Sequence, residues 1–142
     1  MADAVTTNVI DQTPDHYVVH LTNIGDGTGE SAVIKVDKST LIASDLAEPA
    51  SLDIQQVRWA IQGFTSVRIL WDHATDDVAL VLCGSGYDDF RGLDSGAPPR
   101  ARLEGLKDPR SAGGAGDILL TTNGGSSGAT YDITLWLRKN PA

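Results

Sequence analysis

The chain has 142 residues, enough for one domain that buries roughly two-thirds of its unfolded surface. Hydrophobic residues make up 41% of it, an ordinary globular share that excludes a globally disordered chain. A formal charge of −8, with a pI near 4.6, argues against general binding to nucleic acid or to anionic membranes.

Residues 1–14 are polar and lack both a basic start and a long apolar block, so they are not a secretory signal. They read as an N-terminal arm in front of a domain spanning 15–142. In DHYVVHLTNI, Tyr17, Val19 and Leu21 share one face, and His16, Val18, His20 and Thr22 the other, which is the period of a strand. GDGTGE (25–30) is a glycine-rich turn. It lacks both the GxGxxG spacing that opens a helix and the GK[ST] ending of a phosphate loop. ESAVIKVD then alternates with Ala32, Ile34 and Val36 directed inward.

Residues 42–51 form a loop, and SLDIQQVRWAIQG supports two readings. Ile54, Val57 and Ile61 stand at helical spacing, with Ser51 as a cap and Gly63 as a stop. As a strand, Val57, Trp59 and Ile61 line one face, and Leu52 and Ile54 require a bulge near Gln55 and Gln56. The all-β neighbours favour the strand.

SVRILW and VALVLC are two apolar runs of strand length joined by WDHATDD, the pattern of a β-hairpin. Asp72, His73, Asp76 and Asp77 invite a metal or acid–base reading. Asp is also favoured in turns because its carboxylate accepts nearby backbone N–H groups, and the turn is the reading adopted. Cys83, the single cysteine, ends an apolar run and reads as a buried structural thiol. CGSGYDDFRG turns the chain out of the hairpin, and residues 92–116, rich in Pro and Gly, form a long irregular loop. DILLTT and ATYDITLWLRKN close the chain as strands; in the second, Tyr131, Ile133, Leu135 and Leu137 alternate with polar residues and Trp136.

Seven or eight strands, short turns and no long helix define an all-β chain: an antiparallel β-sandwich of jelly-roll type with one long irregular loop. The pattern of a catalytic protein is missing. His16 and His20 are about 13 Å apart along a strand, too far to share a zinc ion. The Asp-rich stretches do not follow the EF-hand spacing, and no GxSxG occurs. No metal, cofactor or catalytic residue is assigned, and the chain is read as not an enzyme.

HLTNIGDGTGESAVIKVDKSTL, IQGFTSVRILWDHATDDVALVL, GLKDPRSAGGAGDILLTT and ATYDITLWLRK, taken together, resemble a family of small virion proteins of tailed bacteriophages, typically encoded near the major capsid protein. The resemblance runs from about residue 16 to residue 139; residues 93–104 have no place on the family pattern. It implies a protein made in the bacterial cytoplasm that decorates or cements the capsid surface, with the major capsid protein as partner. It also implies a homo-oligomer, with a trimer preferred from the threefold positions of icosahedral shells; the acidic balance of the chain leaves no nucleic-acid or membrane partner expected.

Charge is distributed unevenly in a way that suits docking. Residues 1–57 hold nine acids and two lysines, whereas 91–110 hold five basic residues and three acids. The expected partner-binding residues are Asp3, Val5, Asn8 and Ile10 in the arm, Arg100, Arg102, Lys107 and Arg110 in the loop, and Trp136 on the last strand. The alternative is a tail, neck or host-surface module that binds carbohydrate through exposed aromatic residues such as Trp136.

Overall fold

The alternation at the end of the sequence becomes the axis of the fold. The computed structural model describes residues 3–90 and 105–141. These contain the strands β1 (Ala4–Gln12), β2 (His16–Asp26), β3 (Val33–Val36), β4 (Ser51–Gln62), β5 (Ser66–Trp71), β6 (Asp77–Leu82), β7 (Ser85–Asp89), β8 (Ile118–Asn123) and β9 (Ser127–Asn140). They form two antiparallel sheets, ordered β1-β2-β9-β4-β7 and β3-β8-β5-β6. No helix among the described residues is long and apolar enough to cross a membrane.

The sheets face each other across one apolar cluster. Val19 and Leu21 of β2, Leu52, Ile54 and Val57 of β4, and Ile133, Leu135 and Leu137 of β9 come from the first sheet. Val67, Ile69 and Trp71 of β5 and Ile118 and Leu120 of β8 come from the second. Each fully buried aliphatic side chain contributes about 1.5–3 kcal/mol of transfer free energy. The Trp71 indole N–H also donates to the Leu52 carbonyl (3.2 Å), a polar link between the sheets.

Bulges decide which residues enter this core. The β4–β9 register passes from Ile54↔Leu137 to Gln56↔Trp136, so Gln55 is the extra residue and the inward parity changes there. The expected bulge is present, and it explains why Leu52, Ile54, Val57 and Ile61 are all buried although their spacing resembles a helix. In β3 the extra residue is Lys35, between Ile34↔Leu119 and Val36↔Ile118. The expected inward set holds at Val36, which is buried, and fails at Ile34, which is exposed while Lys35 turns inside. Ala32 lies before the strand at φ +47.

Lys35 turns inward because Glu30 is there. Its ammonium lies 2.5 Å from Glu30 Oε2, and both side chains are buried. The second Glu30 oxygen accepts the Tyr131 hydroxyl (2.6 Å) and an Asn23 amide hydrogen (2.7 Å). A buried carboxylate is tolerated only when paired and hydrogen-bonded in this way. Burial, with the Glu30 bond and charge added, moves Tyr131 ionisation well above the ordinary phenol range.

Three other expectations are corrected. The segment expected as a free polar arm is β1, paired with β2 over most of its length. VTTNVI, β-branched at every position but Asn8, suits an extended chain, and β2 offers an edge to it. CGSGYDDFRG, expected as a turn, contains β7, which pairs with β4. Gly86 permits this: a Cβ there would sit 2.6 Å from the Trp59 ring, whose N–H donates to the Cys83 carbonyl (3.0 Å). Cys83 is exposed rather than buried, because β6 ends at Leu82 and the chain crosses to the other sheet through Gly84 at φ +63.

The expected inward face of β9 is present: Tyr131, Ile133, Leu135 and Leu137 are all buried. Because β9 lies at the centre of its sheet, Leu135→Ala should lower unfolding free energy by about 2–5 kcal/mol, measured by urea denaturation.

Candidate partner-binding surface

Of the residues expected to meet a partner, Asp3, Val5, Asn8 and Ile10 fall on or beside β1, while Arg100 and Arg102 lie outside the described residues. Asp3 anchors the start of the strand. Its carboxylate accepts the Asp26 N–H (2.9 Å), an Asn23 amide hydrogen (3.1 Å) and the Thr28 hydroxyl (3.3 Å). The Asp26 N–H, then the Asn23 amide, hold its pKa below the ordinary carboxylate value, against the opposing effect of burial. Val5 stands opposite inward-facing Asn23, Asn8 stands opposite His20, and Ile10 is the bulged residue between Val9 and Asp11. Every residue of β1 is exposed.

Trp136 lies elsewhere, half-buried on the outer face of the five-stranded sheet between Val18 and Gln56. Tyr87 meets it edge-on, with ring centroids 6.5 Å apart. His20 and Asp132 are joined on that same face at 2.7 Å.

Lys107 and Arg110 come together with residues the sequence reading passed over. With Arg138, Asn140, Ser51, Asp53, Asp108 and Pro141 they line a cleft of about 410 Å³. Strand register creates one wall, since β4 and β9 place Ser51 against Asn140 and Asp53 against Arg138. The other wall is residues 105–110, held to β4 by reciprocal bonds between Leu106 and Ile54 (2.7 and 2.9 Å). Gly105 makes that approach feasible, because its φ is +82 and a Cβ would sit 2.7 Å from the Ile54 carbonyl oxygen. Within the cleft the Arg110 guanidinium and the Asn140 amide both donate to the Ser51 hydroxyl (2.9 and 3.1 Å). Burial raises the Asp53 pKa; the Asn140 amide, the Asp108 N–H and the charges of Lys107 and Arg138 oppose that rise.

Under the cleft, the WDHATDD stretch does more than turn. His73 is buried, with Nε2 2.7 Å from Asp108 Oδ1 and Nδ1 3.0 Å from the Gly113 carbonyl. The Gly113 carbonyl can only accept, so Nδ1 donates to it, and a carboxylate facing Nε2 favours a second proton on the ring. Asp77, whose buried Oδ2 has no hydrogen-bond partner, lies 3.8 Å from Nε2 and favours the same charged form. Further bonds fasten the same loop to the turn: Ala74 N–H to the Ala112 carbonyl, and Gly116 N–H to the Asp72 carbonyl. Asp108 also accepts the Arg110 N–H (2.7 Å), which steadies Arg110 in a left-handed backbone at φ +56.

The chemistry available in the cleft is recognition of an anion. Lys107, Arg110 and Arg138 line it against two carboxylates, Asp53 and Asp108, of which Asp108 is paired with His73. Among the described residues no group of three or more His, Cys, Asp or Glu is arranged to hold a metal ion. No family model, no curated protein and no solved structure matches the chain.

Burial alone would lower the His73 pKa; the bonds to Asp108 and Gly113 and the charges of Asp108 and Asp77 outweigh it and raise the value. A raised folded value means the ring stabilises the fold fully below its ordinary pKa of 6.5, and that contribution fades as pH rises through the folded value. The wild type should therefore lose more thermal stability than His73→Gln between about pH 6 and 9, measured by calorimetry at matched ionic strength.

Proposed function

We propose that this chain is a structural virion protein of a tailed bacteriophage, which decorates or cements the head shell by docking on the major capsid protein. The observation that supports the reading best is the convergence of Lys107, Arg110 and Arg138 on one cleft of a chain whose formal charge is −8. A basic cleft on an acidic protein selects a partner that offers carboxylates and steers the encounter by charge. Ion pairs at such a rim contribute about 0–1 kcal/mol each, so the docking draws its strength from repetition across a lattice. We also read the sandwich as a jelly roll with β1 added. Without β1 the sheets are β2-β9-β4-β7 and β3-β8-β5-β6, an eight-stranded double-sheet arrangement of that kind. A rigid β scaffold suits a cement.

Lys107→Ser/Arg110→Ser/Arg138→Ser, mixed with capsids stripped of this protein, should co-sediment more weakly than the wild type and with a flatter dependence on salt. Failure of the wild type to bind such capsids would remove the cement reading.

A second reading rests on a different feature. Tyr87 and Trp136 form an aromatic pair on the outer sheet face, with Arg58 on β4 and Asp132 on β9 as polar neighbours on that face. Sugar rings stack on such platforms, and a tail or host-surface module would use one. In that case the wild type should bind members of a bacterial-glycan array and Tyr87→Ala should lose them.

A further inference from the structure

The edges of the two sheets are unequal. β3 has four residues; β7 has five and includes Asp88 and Asp89; β6 has six and is bulged at Ala79. Short length, charge and bulges are the devices that keep an edge from pairing with another chain. β1 has none of them over most of its length. It has nine residues, keeps an unbroken register with β2 from Ala4 to Val9, and carries no charge from Ala4 to Ile10. Among the described residues nothing pairs with its outer edge.

β1 also overhangs the sandwich. It is the fifth strand of a sheet whose partner sheet has four. Val5, Thr7 and Val9 stand opposite Asn23, Leu21 and Val19, which are buried in the interior, yet Val5 and Val9 are 44% and 51% exposed. Alternate residues of such an edge leave N–H and C=O groups directed outward, ready for one more strand.

We propose that β1 pairs antiparallel with β1 of a second copy of this chain, about a two-fold axis through Thr7. The sequence of the strand favours this occupant. With Thr7 opposite Thr7, Val5 meets Val9, Thr6 meets Asn8 and Ala4 meets Ile10, so no like charges oppose each other across the core of the pairing. The Ile10 bulge turns Asp11 to the face opposite Asp3, so the ends add no matched pair of like charges, and it is the formal charge of −8 on each copy that makes the pairing tighten as salt is raised. Such an interface is isologous and closes as a dimer, in contrast to the trimer that the family resemblance implies. It stands independently of the virion reading.

The test uses the full chain in sedimentation equilibrium. The wild type should show twice the monomer mass and tighten with salt. Val5→Lys/Val9→Lys places lysine opposite lysine twice and should weaken dimerisation roughly 100-fold. Val5→Lys/Val9→Glu places lysine opposite glutamate and should restore it. Both positions are exposed, and circular dichroism checks that each variant is folded. Thr7→Cys in a Cys83→Ser background should form a covalent dimer on mild oxidation, faster than Thr6→Cys, because only position 7 meets itself. A monomeric or trimeric wild type overturns the proposal. So does a lysine pair that leaves the mass unchanged, or a charge swap that fails to rescue. Loss of capsid binding by the lysine pair without any change of mass would assign the edge to a capsid strand instead.

Discussion

The buried carboxylate of Glu30 constrains one end of the molecule. Ionised and out of water, it must be surrounded by donors, and those donors come from three strands: Asn23 of β2, Lys35 of β3 and Tyr131 of β9. Two belong to one sheet and one to the other, so satisfying a single charge fixes how the sheets meet. The bulge in β3 serves the same requirement, because an unbroken strand would alternate Lys35 and Val36, whereas the extra residue lets both enter the interior. It also positions Asn23, which holds Asp3 and through it the start of β1. The exposed edge of the molecule is thus set by a charge inside it.

At the far end, Lys139 plays a comparable part with weaker partners. Its ammonium is buried and donates to the Thr13 and Ile42 carbonyls (2.9 and 3.0 Å). Burial lowers its pKa, and the charge of Asp15 opposes that shift. Carbonyls satisfy the donors of an ammonium without neutralising it, so this end is held more loosely in electrostatic terms than the Glu30 end. Between the two ends the core is apolar and needs no such matching. Specificity of strand alignment comes from the polar ends and bulk stability from the middle.

How much of this was legible depended on the range of each cause. Period-two alternation is local, so β2, β5, β8 and β9 and the β5–β6 hairpin were readable from the sequence, and the break of phase in β4 announced its bulge. The inward turn of Lys35 was not readable, because its cause lies in Glu30 and in the register with β8. β7 was hidden by its glycines and aspartates, which suit a turn unless one knows that Trp59 needs a residue without a side chain beneath it. The cleft was half legible. Lys107 and Arg110 are neighbours in sequence, whereas Arg138, Ser51 and Asp53 join them only through the pairing of β4 with β9. His73 drew attention as one of several polar residues in a turn, and its burial follows from a segment that begins more than 30 residues later.

The place of β9 has a consequence for how the chain is made. It lies between β2 and β4, and it follows every other described strand in sequence. Until it leaves the ribosome, β2 and β4 each present an open edge and an uncovered apolar face, with no partner between them. Contacts that join distant parts of a chain form slowly, and a nascent sheet waiting for its middle strand is vulnerable to association with other chains. The interval between the emergence of β8 and the docking of β9 is therefore when the chain is most open to association with other chains.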